Sequence, residues 1–261
     1  MAFSNSCFTE QIMDLSTILL VPEKSDKETE AVMEAWRNKG GLVKQLGKYW
    51  VKDDDLVGKK MAIYGNQTFA LILAQLYHKE LVSPDETLIA GLEERWIKRT
   101  IRLLKISDLV HVDFPVFVKP LVPKLFAAGV YPTKERFDTM AAQLDGSESI
   151  LVSKVIAEIS AEVRAYVMGG DLKDMAVYEG SGSLNDCRKF LIDFLEAHRT
   201  QLPEVLVVDL AYNKHSGWFI LEFNACWGAG LNHCRAEKVI SCIISATRNR
   251  LAGTTDTMVV Y

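Results

Sequence analysis

The sequence predicts an α/β or α+β fold in which a small parallel sheet comes first and mostly antiparallel strands follow. Over residues 16–81, apolar strand patterns alternate with helical spacing, which is typical of a parallel sheet with helices packed on it. Two later segments have the pattern of hairpins, and the first turns near Gly169 and Gly170. With 261 residues, 49% of them apolar, the chain suits one large α/β domain or two small lobes.

Residues 1–84 are predicted to form an N-terminal domain. Its strand, helix, strand and helix are predicted in that order at 16–22, 27–41, 59–66 and 67–81. In the first helix, Ala31, Met33 and Trp36 share the inward face. Pro84 then interrupts the pattern, which places the end of this domain there.

Residues 85–250 form the second predicted region, and 251–261 are a tail that is loose or pairs with a sheet edge. The region opens with a long amphipathic helix over 85–106. The elements predicted after it are strands at 114–121, 124–132 and 149–156, a helix at 133–144 capped by Thr133, a hairpin at 161–180, a helix at 184–202, a hairpin with strands 204–212 and 217–225, and a helix at 236–249.

The composition excludes several classes of protein. A net charge of −4 gives no reason to expect broad nucleic-acid binding. No apolar run reaches the roughly 18 residues of a membrane span, and the first residues lack a basic and then apolar secretory pattern. Five scattered cysteines fit reduced thiols, so we expect a cytoplasmic protein without membrane contact.

The last hairpin carries the clearest candidate site. If its loop is residues 214–217, then Asp209 lies opposite Glu222, and Asn224 lies on the same face. Val208, Leu210, Phe219, Leu221 and Phe223 then form the apolar face. Two adjacent carboxylates repel each other, and a Mg²⁺ ion bound by these oxygens would remove the conflict. A solvated sheet face with carboxylates placed by chance remains the alternative.

Four motifs, in order, resemble the ATP-grasp superfamily, and within it the divergent R-2-K clade. The segments "VVDLAY" and "ILEFNACWGAG" resemble its metal-binding strands, "FPVFVKP" its nucleotide-lysine strand, and "ILVSKVI…AEVRAYVMGG" the strand that joins the two ATP lobes. The resemblance covers roughly residues 85–250. It implies an ATP-grasp fold, in which the N-terminal parallel lobe is followed by two α+β lobes that clamp the nucleotide.

The resemblance also implies roles for individual residues. Asp209, Glu222 and Asn224 would bind Mg²⁺. The residues that would contact ATP are Lys98 and Lys119 at the phosphates, Lys154, Val155 and Ile156 at adenine, and Glu158 or Glu162 at the ribose. For Lys98, a solvated helix face shared with Arg95 and Arg99 is the competing interpretation.

One position departs from the pattern of the superfamily. Many members carry an arginine two residues before the metal-binding acid, where this chain has Val207. Arg164 and Lys214 are the candidates to supply the missing catalytic cation, with Arg235 as a further one. For Arg164, a phosphate contact and one half of a salt bridge are both open.

The activity that the resemblance implies is ATP- and Mg²⁺-dependent ligation that forms ADP. A small-molecule or peptide carboxylate would be activated as an acyl phosphate, and an amine or similar nucleophile would then displace phosphate. Two alternatives stay open: a kinase on the same scaffold, and a nucleotide-binding module with little turnover.

Overall fold

The computed structural model describes residues 14–123 and 125–250, so the predicted tail at 251–261 and the first residue of the predicted strand 124–132 lie outside the described residues. The strands are β1 (Ile18–Pro22), β2 (Leu42–Leu46), β3 (Met61–Ile63), β4 (Lys79–Leu81), β5 (Ile101–Lys105), β6 (Val116–Pro120), β7 (Gly129–Tyr131), β8 (Ser149–Lys154), β9 (Ile159–Met168), β10 (Asp171–Gly180), β11 (Val205–Asn213), β12 (Gly217–Asn224) and β13 (Thr247–Asn249). The α-helices are α1 (Lys27–Asn38), α2 (Gln67–Leu76), α3 (Glu94–Ile97), α4 (Lys134–Ala141), α5 (Leu184–His198) and α6 (Ala236–Ser245).

The first sheet is parallel, as the alternating pattern predicts, with strand order β2-β1-β3. Asp26 caps α1 by accepting a hydrogen bond from the backbone N–H of Thr29 at 2.8 Å, and the helix buries Met33 and Trp36. Strand β2 is absent from the sequence prediction. It is an edge strand with half-exposed or exposed side chains, so it lacks the apolar run that identifies a buried strand.

The long helix predicted over 85–106 is wrong. The segment forms a 3-10 turn at Leu88–Gly91, the four-residue helix α3 and strand β5. Lys98 ends α3 in the left-handed conformation, with φ of 51°. The apolar residues do recur at helical spacing, but β5 pairs with β8, and that pairing lies outside any local sequence window.

Two other predicted helices end early for the same reason. The helix predicted over 67–81 stops at Leu76, and the one predicted over 236–249 stops at Ser245. The residues after them form β4 and β13, which pair with each other across most of the chain length. The domain boundary at residue 84 stays a prediction.

The other two large sheets are antiparallel. The smaller has the order β5-β8-β6-β7, and the larger has the order β10-β9-β11-β12. The hairpin predicted at 161–180 is confirmed, and its turn uses Gly169 and Gly170 at φ of 61° and 78°, a region that glycine enters without strain. The mixed α/β and α+β prediction is therefore confirmed.

Helices pack against both antiparallel sheets, and α5 and α6 lie on opposite faces of the larger one. Side chains of α1, α6, β9 and β11 share one buried cluster, while α5 packs on the larger sheet in a second one. Phe137 of α4, capped by Thr133 as predicted, packs against the smaller sheet. Glu162 and Glu222 of the larger sheet and Lys119 of the smaller one line a cavity between the two sheets. Within residues 14–123 and 125–250, no helix combines the length and the apolar character that a membrane span requires.

Candidate functional site

The predicted pairing of Asp209 with Glu222 is present, but the turn and the strand register that produce it differ from those predicted. The hairpin turn is one residue shorter than expected, so Asn213 pairs with Gly217 and not with Trp218. A bulge in β12 compensates, because Leu210 pairs with Ile220 while Asp209 pairs with Glu222. Leu221 is the extra residue.

Because of the bulge, two side chains of β12 lie on different faces from those predicted. Ile220 packs in the core with Val208 and Leu210, whereas Leu221 lines the cavity. Simple alternation places Leu221 on the core face and Ile220 on the face of Asp209, and both of these predictions are wrong. The reason is that a bulge shifts the alternation of side chains by one residue.

Arg164 forms the centre of a polar cluster on the larger sheet. Its Nε and Nη2 donate hydrogen bonds of 2.8 and 2.6 Å to Oδ1 and Oδ2 of Asp209. Nδ2 of Asn224 donates to both Asp209 Oδ2 and Glu222 Oε1 at 2.9 Å. The repulsion expected from two bare carboxylates is thus offset by a bidentate guanidinium and a bridging amide.

Burial sets the electrostatics of this cluster. The Asp209 side chain is 1% exposed and that of Arg164 is 11% exposed. Burial raises the pKa of the Asp209 carboxyl, and the guanidinium of Arg164 acts against that shift. Although burial alone would lower the pKa of Arg164, its hydrogen bonds with Asp209 hold that pKa above the ordinary value.

Position 207 is buried and apolar, so it supplies no cation. Val207 is fully buried and pairs with Tyr166, whose hydroxyl donates to the carbonyls of Ala229 and Gly230, at 3.0 Å each. Nη1 of Arg164 also donates to Gly230 O at 2.9 Å. Arg164 therefore joins the carboxylates to the glycine-containing loop.

The other two candidate cations lie elsewhere. Lys214 is exposed in the turn of the β11–β12 hairpin. Arg235 lies near Asp174 and Glu237, with Nε–O distances of 3.8 and 3.9 Å. Of the three candidates, Arg164 alone contacts the Asp209 carboxylate.

A cavity of about 390 Å³ lies between the two antiparallel sheets. That volume falls in the range of small-molecule sites. The predicted residues that line it are Lys119, Lys154, Val155, Ile156, Glu162 and Glu222. Six predicted residues are not in its wall: Lys98, Glu158, Arg164, Lys214, Asp209 and Asn224. Three of them, Arg164, Asp209 and Asn224, connect to the cavity through Glu222.

Lys119 lies on β6, between β8 and β7, so it is not on an edge strand. Its side chain is 31% exposed, and its Nζ lies 3.4 Å from Oε2 of Glu86. Glu86 also lines the cavity, and the sequence prediction missed it because it lies in the segment predicted as helix.

The structure distinguishes the two ribose candidates. Glu162 lines the cavity and accepts a hydrogen bond from the hydroxyl of Tyr178. Burial, and then this bond, raises the pKa of Tyr178 above its ordinary value. Glu158 instead has a positive φ of 59°, and its carboxylate lies 3.6 Å from Nε2 of His215 at the hairpin turn. Glu162 is therefore the one of the two that faces the cavity.

Arg99 is a further cavity residue that the sequence analysis does not select. The sequence groups it with Arg95 on a solvated helix face, but Arg99 lines the cavity, and its neighbour Lys98 does not. Burial lowers the pKa of Arg99 to about 10, and Glu222 opposes that shift. No local sequence signal separates the two arginines, because the break in the helix decides which one turns inward.

The cluster fits Mg²⁺ in the kind of donor it offers. Asp209, Glu222 and Asn224 supply two carboxylates and one carboxamide, which are hard oxygen ligands. Asn224 presents its amide nitrogen to both carboxylates, so binding a cation requires the carboxamide to turn and present its oxygen. Across the described ranges, no group of three or more His, Cys, Asp or Glu side chains forms another candidate metal site.

Solved structures share this architecture. A RimK domain protein ATP-grasp from Sphaerobacter thermophilus matches with a TM-score of 0.58 at 13% identity, over 88% of this chain and 98% of that one. A D-cycloserine synthetase matches with a TM-score of 0.57 at 13% identity, over 88% and 99%. A D-alanine–D-alanine ligase from Bacillus anthracis gives 0.51 at 13%, over 88% and 96%. At these identities the likeness establishes the fold.

The sequence comparison establishes the family. No curated protein matches the chain. The family model for the ATP-grasp domain of R-2-K clade family 2 matches residues 96–242, which is more than half of the chain and includes Lys119, Arg164, Asp209, Glu222 and Asn224. The chain therefore has an ATP-grasp fold and belongs to the R-2-K clade of ATP-grasp domains.

Proposed function

We propose that the protein is an ATP- and Mg²⁺-dependent, ADP-forming ligase that joins a small-molecule or peptide carboxylate to an amine or similar nucleophile. One observation carries the proposal. The cavity between the two sheets has a lysine, Lys119, on one wall and Glu222 on the other, and Glu222 is linked to Asp209 through Asn224. A polyphosphate with its metal ion needs this combination of a cation and oxygen ligands. Two of the structural neighbours are named as a ligase and a synthetase.

Each residue has a distinct role in the proposed reaction. Lys119 neutralises the α- and β-phosphates, while Lys154, Val155 and Ile156 bind the adenine and Glu162 the ribose. Glu222 and Asn224, with Asp209 behind them, would hold Mg²⁺, and the ion would supply positive charge that stabilises the phosphates. Arg164 fixes Asp209 and supplies positive charge near the position that Val207 leaves without any.

In this reaction the substrate carboxylate attacks the γ-phosphorus and the bond to the bridging oxygen of ADP breaks. The nucleophile then attacks the acyl carbon, and phosphate leaves. Positioning and charge stabilisation account for such catalysis, so no general base is required of the chain for the first step. Buried free thiols at Cys187, Cys226, Cys234 and Cys242 fit a reducing compartment, and we propose a cytoplasmic location.

ATP with Mg²⁺ is expected to stabilise the folded protein. A ligand that binds only the native state adds RT ln(1 + [L]/Kd), which is about 2.7 kcal/mol at a hundredfold excess over Kd. Thermal melts with ATP, GTP and ADP, each with Mg²⁺ and with EDTA, measure the effect. An unchanged melting temperature with every nucleotide contradicts the proposal.

Turnover then distinguishes a ligase from its alternatives. A ligase releases ADP and phosphate only when both a carboxylate and a nucleophile are present, and pooled amino acids and peptides provide both. A kinase yields a phosphorylated product from one organic substrate, and a binding module yields neither.

Replacing Lys119 by Ala is expected to weaken ATP binding about tenfold or more while the fold is retained. The change removes a charge-assisted hydrogen bond to phosphate, worth about 1.5–3 kcal/mol. Glu86 loses only a partly exposed partner. Isothermal titration measures the affinity, and Lys134→Ala is the matched control, because Lys134 pairs with Asp138 on an exposed helix face. Equal ATP affinity of the Lys119 variant and the wild type would remove Lys119 from the site.

A further inference from the structure

The bulge in β12 brings Glu222 to Asp209. Because Asn213 pairs with Gly217, an uninterrupted ladder would place Leu221 opposite Asp209 and turn Glu222 to the other face of the sheet. The extra residue restores the pairing. Without the bulge, the two carboxylates would lie on opposite faces and could not share a cation.

A side chain from another part of the chain holds this bulge. Nη1 of Arg99 donates to Ile220 O at 3.2 Å, and Nη2 donates to Leu221 O at 2.9 Å. These are the carbonyls of the residue before the shift and of the extra residue itself. The guanidinium also donates to Ile97 O at 3.0 Å, and it lies over the ring of Phe219, 5.7 Å from the centroid.

The geometry of Arg99 suits a structural clamp. Arg99 lies between α3 and β5, so its fork links the start of the smaller sheet to the edge of the larger one. The hydrogen bonds described for it all go to backbone carbonyls. A planar guanidinium can satisfy two adjacent carbonyls at a defined spacing, which an ammonium cannot do.

We infer that Arg99 is a positioning residue for Glu222: its guanidinium fixes the β12 bulge and thereby sets the carboxylate for the metal ion. The inference rests on the proposed function for the role of the metal, whereas the effect on the bulge does not depend on it. Arg99 acts here through the backbone of β12. A direct contact between Arg99 and the nucleotide phosphates is the competing interpretation.

Hydrogen exchange in the metal-free, nucleotide-free protein tests the structural part. Arg99→Lys keeps the charge but loses the fork, and Arg99→Gln loses both. Amides of residues 219–223 are expected to exchange at least about tenfold faster in both variants, because hydrogen bonds to a charged group are worth about 1.5–3 kcal/mol. The matched control is Arg95→Lys, since Arg95 is an exposed neighbour that pairs with Glu93 and lies over Trp96.

Nucleotide titration tests the functional part. The Mg²⁺ concentration needed for tight ATP binding is expected to rise about tenfold to a hundredfold in Arg99→Lys, the usual effect of removing an outer partner of a metal ligand. ATP affinity in EDTA should stay within about twofold of the wild type. The Arg95 variant should match the wild type in both quantities.

Three results would overturn the inference. Unchanged exchange in Arg99→Lys means that the guanidinium does not hold the bulge. If Arg99→Gln loses ATP affinity in EDTA and Arg99→Lys does not, then Arg99 is a phosphate contact. If the wild type itself shows no Mg²⁺-dependent ATP binding, the proposed function is wrong, and so is the role of Arg99 toward the metal. The exchange result still decides whether Arg99 holds the bulge. Because Arg99→Lys keeps the charge, it decides the question even if Arg99→Gln does not fold.

Discussion

Replacing Arg164 by Met is expected to lower the free energy of unfolding by about 3–5 kcal/mol, the usual effect of removing one member of a buried ion pair. Asp209 is 1% exposed, so its carboxylate would stay buried with the amide of Asn224 as its remaining partner. The guanidinium also loses its contact with Gly230 O, which loosens the loop after β12. Urea denaturation measures the loss.

The loss should depend on pH, and the sign follows from Asp209. Burial already raises the pKa of its carboxyl, and the variant lacks the guanidinium that opposes this shift. A raised folded-state pKa means that the folded variant keeps a proton that the unfolded chain releases above about pH 4. Stability of the variant therefore falls as pH rises through that window, and the difference from wild type should be smaller at pH 5 than at pH 8.

The double variant Arg164→Met with Asp209→Leu is the control. Replacing a buried pair by apolar residues of similar size is often close to neutral. It should therefore recover most of the stability and lose the pH dependence. A single Arg164 variant as stable as the wild type at pH 8 would show that the pair is not a buried, ionised one.

Replacing Glu222 by Gln is expected to abolish the stabilisation by ATP that depends on Mg²⁺. Glu222 is the carboxylate of the cluster that lines the cavity, and glutamine removes its charge at nearly constant shape. Removing an outer partner of a metal ligand costs about tenfold to a hundredfold in metal affinity, so loss of the ligand itself should cost at least a hundredfold. Metal-dependent turnover should be lost in parallel.

In EDTA the same variant should melt close to the wild type. Glutamine keeps the carbonyl oxygen that accepts from Asn224, and Arg164 already offsets the charge of Asp209. Glu179→Gln, at an exposed position on β10, is the matched control and should leave both quantities unchanged. A large loss of stability in EDTA, combined with a normal response to Mg²⁺-ATP, would mean that Glu222 is structural and binds no metal.

The sequence by itself determined the parts of this protein that depend on local patterns. Alternating apolar residues identified β11 and β12. The Asp209–Glu222 pairing was also predicted, but only because the shorter turn and the bulge in β12 compensate each other. The resemblance of "FPVFVKP" to a nucleotide-lysine strand selected Lys119, which lines the cavity. Strands can be identified from their pattern because side-chain alternation needs only residues close in sequence.

Tertiary structure alone decided which partner each of these residues meets. Residues 85–106 have helical spacing, but β5 forms within them because pairing with β8 satisfies its backbone. The helix therefore breaks before β5, and Arg99 lines the cavity. The contact of Arg99 with the β12 bulge and the ion pair of Arg164 with Asp209 likewise join residues far apart in the chain. Local periodicity predicts which face of an element is apolar. Backbone pairing and the burial of charge depend instead on which distant segments pack against that element in the folded chain.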